Sequence, residues 1–136
     1  MRREPLDEGL RWLEQAEVDL KWAGRLASEG GYHIACFLAQ QVGEKALKAF
    51  LYARGEALVL GHSVGALCEK AACYHEEFHK KREAWAPLDG FYVATRYPNG
   101  LPDGIPARTY NAKTALDAVA LAEDIVRTVR DLIRSE

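Results

Sequence analysis

Apolar residues recur at helical spacing along most of this chain, and one segment is far more apolar than the rest. From Ile34 to Ala53, IACFLAQQVGEKALKAFLYA, apolar and small side chains cover most of the circumference. Gln40, Gln41, Glu44, Lys45 and Lys48 interrupt the pattern, and at roughly 100° per residue they fit within an arc of about 140°. A helix this apolar is normally the inner member of a bundle. Its polar strip must then face a neighbouring helix, a partner chain, a ligand or water.

The flanking segments read as further helices. Leu6, Leu10, Leu13, Leu20 and Ala27 lie on or near one stripe, which Pro5 can open and Gly30-Gly31 stop. The central helix runs to about Arg54-Gly55, where glycine can supply a left-handed cap. A third helix is expected to open at His62-Ser63, with Ser63 as N-cap and Leu67 and Ala71 inward, and to fade near Tyr74. Glu76 to Arg96 reads as a fourth helix carrying Trp85, Leu88, Phe91 and Tyr92, with Pro87 either kinking it or starting a new one. Pro98, Pro102, Pro106 and two glycines in PNGLPDGIPART exclude helix and strand alike. The last helix, about Asn111 to Arg134, has Leu116, Val119, Ala120, Val126, Val129 and Ile133 around its inward face. Strand signals are nearly absent, so the pattern predicts an all-α fold, an antiparallel up-and-down bundle of four to five helices.

Size and charge narrow the function. The 136 residues make one domain, residues 1–136, with a core that needs no staples. Eighteen basic against twenty acidic side chains give a net charge of −2, which excludes a sequence-independent binder of duplex DNA but leaves room for a small phosphate ligand or a local RNA contact. Cys36, Cys68 and Cys73 are odd in number and lack CxxC spacing, which fits reduced thiols in a cytoplasmic protein. The start MRREPLDEGLRW has no continuous apolar core, so it does not read as a signal peptide, and no apolar run approaches membrane-spanning length.

Three constellations could carry chemistry. Gln41, Lys45 and Lys48 share one side of the central helix at i, i+4 and i+7, where amide and ammonium groups could hold phosphate oxygens. The alternative is a solvated Glu44–Lys48 ion pair on an exposed edge. His62 and Ser63 stand at a helix start, where free N–H groups favour an anion, although Ser63 is more simply a cap. Tyr92, Arg96 and Tyr97, in FYVATRYP, put a guanidinium beside two phenols, fit to bind a phosphate or stack a base, or else to cover the bundle end. Arg108 and Tyr110 could return to the same end. His75 and His79 lie four apart in YHEEFH, and a metal there would need further ligands such as Glu76 or Glu83. The chain contains no phosphate-cradling glycine loop and no GxSxG elbow.

Taken in order, AEVDLKWAGRL, FLAQQVGEKALKAFL, HSVGAL, FYVATRYP and ALDAVALAEDIV resemble the HEPN domain family. The resemblance implies a four- or five-helix bundle, a homodimer, and pairing with a small nucleotidyltransferase in modules similar to toxin–antitoxin systems, with nucleotide binding proposed for the domain. Carried over by residue, it falls on Gln41, Glu44, Lys45, Lys48, His62, Ser63, Arg96 and Tyr97. The family also contains ribonucleases that separate an arginine from a histidine by four to six residues. Here Arg25 to His33 and Arg54 to His62 each leave seven, and no histidine follows Arg96. The resulting expectation is a non-catalytic module, without metal or cofactor, that binds a nucleotide or a partner nucleotidyltransferase. A ribonuclease with a non-standard Arg96/His62 site and a purely structural dimeric adaptor are the alternatives.

Overall fold

The computed structural model describes residues 3–135; Met1 and Arg2, part of the amino-terminal reading above, and Glu136 lie outside the described residues. Helix α1 (Pro5–Glu29) ends where Gly30 adopts φ 96°, a left-handed conformation that glycine enters without a Cβ clash, and its N–H closes on Leu26 O. Helix α2 (Tyr32–Ala53) starts two residues before the expected Ile34 and folds back antiparallel on α1. The two helices nearly touch at Gly9, where a Cβ would lie 2.6 Å from Ala49 O. Trp12 packs against Tyr52 at the same level.

The chain then doubles back. Residues 55–63 return along α2 until Gln40 Nε2 donates to His62 O (2.8 Å). Helix α3 (Val64–Ala72) therefore runs beside the second half of α2, and just beyond it Tyr74 reaches the Phe50 ring and Glu56. Helix α4 (Glu77–Trp85) packs against α3 and brings Phe78 onto Phe50 with ring centroids 4.4 Å apart. Pro87 does not kink one long helix. It sits in a 3-10 turn, Ala86–Gly90, after which the short α5 (Phe91–Ala94) ends before Thr95.

The proline-rich stretch is also more ordered than its composition suggests. It contains a 3-10 turn at Pro98–Gly100 and one helical turn, α6 (Pro106–Thr109). Each has proline in its first turn, where a missing N–H costs nothing. Asn111 then caps α7 (Ala112–Leu132) by accepting from Thr114 N–H (2.9 Å). Arg54 reaches across from the end of α2 and donates to the carbonyls of Leu132 and Ile133, closing the far end of α7.

The inward face of α7 differs from the expectation. Ala115, Ala118, Ala122, Ile125, Val126, Val129 and Ile133 are buried, whereas Leu116 is 57% exposed and Ala120 is exposed. Alanines let α7 lie close against α1 and α2, so the contact line follows the small residues and leaves the bulkier Leu116 outside. The result is an all-α bundle of α1, α2, α3, α4 and α7, with no strand among the described residues. No described helix is long and apolar enough to cross a membrane.

Candidate functional site

The polar strip of α2 faces into the molecule more than out of it. Gln40 is fully buried, and Glu44 and Lys48 have side chains only 8% exposed. Lys48 Nζ donates to Glu44 Oε2 (3.1 Å) and lies 5.9 Å from the centre of the Trp12 ring. The expected alternative of a solvated pair is corrected in one respect: the pair forms, but in the interior, because α1 and the 55–63 return segment cover it. Lys45 is half-buried and donates to Asp19 of α1. Gln41 Nε2 donates to Gln40 Oε1 (2.7 Å).

Glu44 also reaches the return segment. Its Oε1 stands 3.1 Å from His62 Nδ1, and Gln40 Nε2 approaches the same oxygen at 3.4 Å. Helix α2 thus grips His62 twice, by the backbone carbonyl through Gln40 and by the ring through Glu44. The ring stays 57% exposed and stacks on Tyr92, with centroids 4.7 Å apart and planes 16° from parallel.

Tyr92 links His62 to Arg96. The Arg96 guanidinium lies 4.6 Å from the Tyr92 and Phe37 ring centres and 5.3 Å from that of Tyr97, while its Nε donates to Tyr92 O (2.7 Å). Arg96 satisfies a helix-end carbonyl, as the bundle-end alternative for this corner had it, and its other N–H groups have no hydrogen-bond partner among the described residues. Among the described residues Arg96 has no carboxylate partner, in contrast to Lys45 and Lys48. Tyr110 returns to this end and meets Phe91 edge-on at 5.9 Å.

The amino end of α3 already holds an anion. Asp89, delivered by the 3-10 turn, accepts from Ser63 Oγ (2.8 Å), Val64 N–H (2.6 Å) and Gly65 N–H (3.2 Å), while Ser63 Oγ accepts from Ala66 N–H (3.0 Å). The donors that could have drawn a ligand phosphate serve this internal carboxylate. A surface cleft of about 300 Å³ opens beside it, lined by His62, Ser63, Asp89 and Tyr92.

A profile of the HEPN domain matches residues 10–132, which is most of the chain. The chain belongs to the HEPN domain family. Solved structures agree. TT1696 from Thermus thermophilus is 35% identical, with 91% of this chain and 97% of that one covered and a TM-score of 0.79. ST0689, an archaeal HEPN homologue, is 30% identical over 98% and 100% of the two chains, with a TM-score of 0.70. The HEPN domain protein tm0613 from Thermotoga maritima is 28% identical over 93% and 99%, with the same TM-score. No curated protein matches.

Within this HEPN domain the histidines other than His62 take no part in the site. His75 Nδ1 accepts from Glu77 N–H, and no group of three His, Cys, Asp or Glu able to hold a metal stands together among the described residues. Burial pushes the Cys36 thiol up to about 11 and the Cys68 thiol up to about 12, so neither is a ready nucleophile or metal ligand. Three participants escaped sequence reasoning: Asp89, Asp19 and Phe37. Phe37 left a usable signal, four residues before Gln41 on the same helix. Asp89 left none, because only the folded 3-10 turn brings it to Ser63.

Proposed function

We propose that this HEPN domain is a nucleotide-binding module, not itself catalytic, and the partner of a small nucleotidyltransferase in a two-component, toxin–antitoxin-like pair in the cytoplasm. The observation that carries the ligand half is Arg96, a guanidinium held by three aromatic rings and lacking a carboxylate partner among the described residues. Such a group offers phosphate a bidentate fork that is already oriented. Tyr97, exposed beside it, offers a face for a base, while the Tyr92 ring already carries His62 and Arg96. His62 and Ser63 line the adjoining cleft. Lys45, Lys48, Glu44 and Gln41 support the site from behind: Lys48 keeps a counterion on Glu44, which orients His62, and Gln41 fixes Gln40. The exposed apolar side chains Val18, Trp22 and Val93 offer surface for a second copy, in keeping with a homodimer.

Calorimetric titration of ATP, GTP and other nucleotides into the purified protein tests this. Heat with at least one of them is expected at millimolar concentration or below. Arg96→Ala is expected to weaken that binding at least tenfold, since a charge-assisted hydrogen bond is worth about 1.5–3 kcal/mol. Silence with every nucleotide would overturn the ligand half.

One observation favours a second reading. His62 Nδ1 lies against the Glu44 carboxylate, and the same Tyr92 ring carries both His62 and Arg96. That arrangement supplies a proton acceptor and a phosphate-binding cation for RNA cleavage despite the departure from the family's arginine–histidine spacing. Incubation with end-labelled RNA distinguishes the two readings. Cleavage that disappears in His62→Ala would establish the ribonuclease, and intact RNA leaves the binding module.

A further inference from the structure

Three of the four residues that line the cleft, His62, Ser63 and Asp89, can present hydrogen-bond acceptors to it; the fourth is Tyr92, whose ring also carries Arg96. Asp89 contributes a carboxylate. Ser63 gives its one proton to Asp89, so its hydroxyl offers the cleft only an oxygen. His62 Nδ1 faces Glu44, which already receives Lys48 and Gln40; a carboxylate in that position can only accept, so the proton of the neutral imidazole sits on Nδ1. Nε2 is then the bare nitrogen, on a ring more than half exposed and clamped by Tyr92. A phosphate is repelled by such a lining, whereas a group with two adjacent O–H donors fits it. The cation that suits phosphate lies on the other partner of Tyr92, at Arg96.

We infer that the cleft of His62, Ser63 and Asp89 takes the ribose diol of a 5′-ribonucleotide whose phosphate rests on Arg96, so that the site selects ribonucleotides over nucleotides lacking the sugar hydroxyls. The inference rests on the nucleotide-binding reading above and adds which sugar the site accepts. Glu44 is a positioning residue in it. It acts through His62, by fixing which ring nitrogen carries the proton.

The test is calorimetry at pH 8, with 5′-AMP and its 2′,3′-dideoxy form titrated into the wild type and into His62→Phe. The phenyl ring of the variant preserves the stack on Tyr92 and removes the acceptor nitrogen. The dideoxy nucleotide is expected to bind about tenfold more weakly to the wild type, since the acceptors that lose their donors cost about one hydrogen bond. In His62→Phe the ratio should fall toward one. Nitrogen NMR of the free wild-type protein gives an independent readout that needs no variant: Nε2 is expected to be the unprotonated nitrogen of His62. Equal affinity for the two nucleotides, an unchanged ratio in His62→Phe, or a proton on Nε2 each overturns the inference and leaves the nucleotide-binding reading standing. Failure of both nucleotides to bind removes the two together.

Discussion

Glu44→Ala is expected to destabilise the fold by about 3–5 kcal/mol, the range for breaking a buried ion pair by removing one partner. Glu44 receives Lys48, His62 and Gln40. Without it the Lys48 ammonium, at 8% side-chain exposure, keeps only the Trp12 ring nearby, at a distance that compensates little of a buried charge. The second half of the expectation makes the mechanism specific. Glu44→Leu combined with Lys48→Met removes both charges at similar volume and should recover most of the loss, because the desolvation of a buried pair roughly cancels its attraction. Urea unfolding of wild type, single and double variants measures this directly. A single variant within about 1 kcal/mol of wild type would mean that water reaches Lys48 after all. The double variant should also lose the fixed orientation of His62, so stability and ligand selectivity separate in one protein. A pair that is dispensable for stability but orients a half-exposed histidine at a cleft is easier to understand as part of a site than as part of the core.

Trp85→Ala is expected to cost a similar amount, about 3–5 kcal/mol, by opening a cavity where α4 packs on α7. Trp85 is fully buried and meets the Phe78 ring edge-on, and Phe78 in turn packs on Phe50 of α2. Its indole N–H donates to Asp124 Oδ2 (2.9 Å), tying α4 to α7. Trp85→Phe keeps most of the ring contact and gives up that hydrogen bond, so about 1–2 kcal/mol is expected. Asp124 retains Lys81 at 3.3 Å and some access to water, which limits the penalty. Thermal unfolding should place the two variants clearly apart, with Trp85→Ala lower by roughly 10 °C or more than wild type. Equal losses would assign the effect to the hydrogen bond and not to the cavity.

Much of the helical framework was legible before folding. Helices α1 and α2 follow from uninterrupted periodicity and a glycine pair between them, and Ser63 takes the cap position that its spacing suggested. The errors have local causes. For α7 the sequence offered two overlapping stripes, one rich in Leu and Val and one rich in Ala, and hydrophobicity favoured the former. Close helix packing favoured the latter, because a methyl side chain permits a shorter interaxial distance than an isobutyl one. In the segment from Pro98 to Thr109, the prolines that exclude a helix interior turned out to open short helical turns. At the site, Arg96 and Tyr92 were recognisable from their i, i+4 spacing, as was Glu44 as the partner of Lys48, whereas Asp19, the partner of Lys45, was not.

The chain's own pattern determined that it is all helical, which helix lies innermost, and that amides, lysines, one histidine and one arginine are the groups available for chemistry. Folding decided which of those charges are neutralised at home: Lys45 by Asp19, Lys48 by Glu44 and the α3 terminus by Asp89, with Arg96 left on its aromatic bed. Periodicity is a property of neighbours three and four residues apart, so it can be read along the chain. A buried charge is settled by whichever opposite charge the fold carries to within hydrogen-bond reach, and for Lys45 and Ser63 that partner lies twenty-six residues away, on another element.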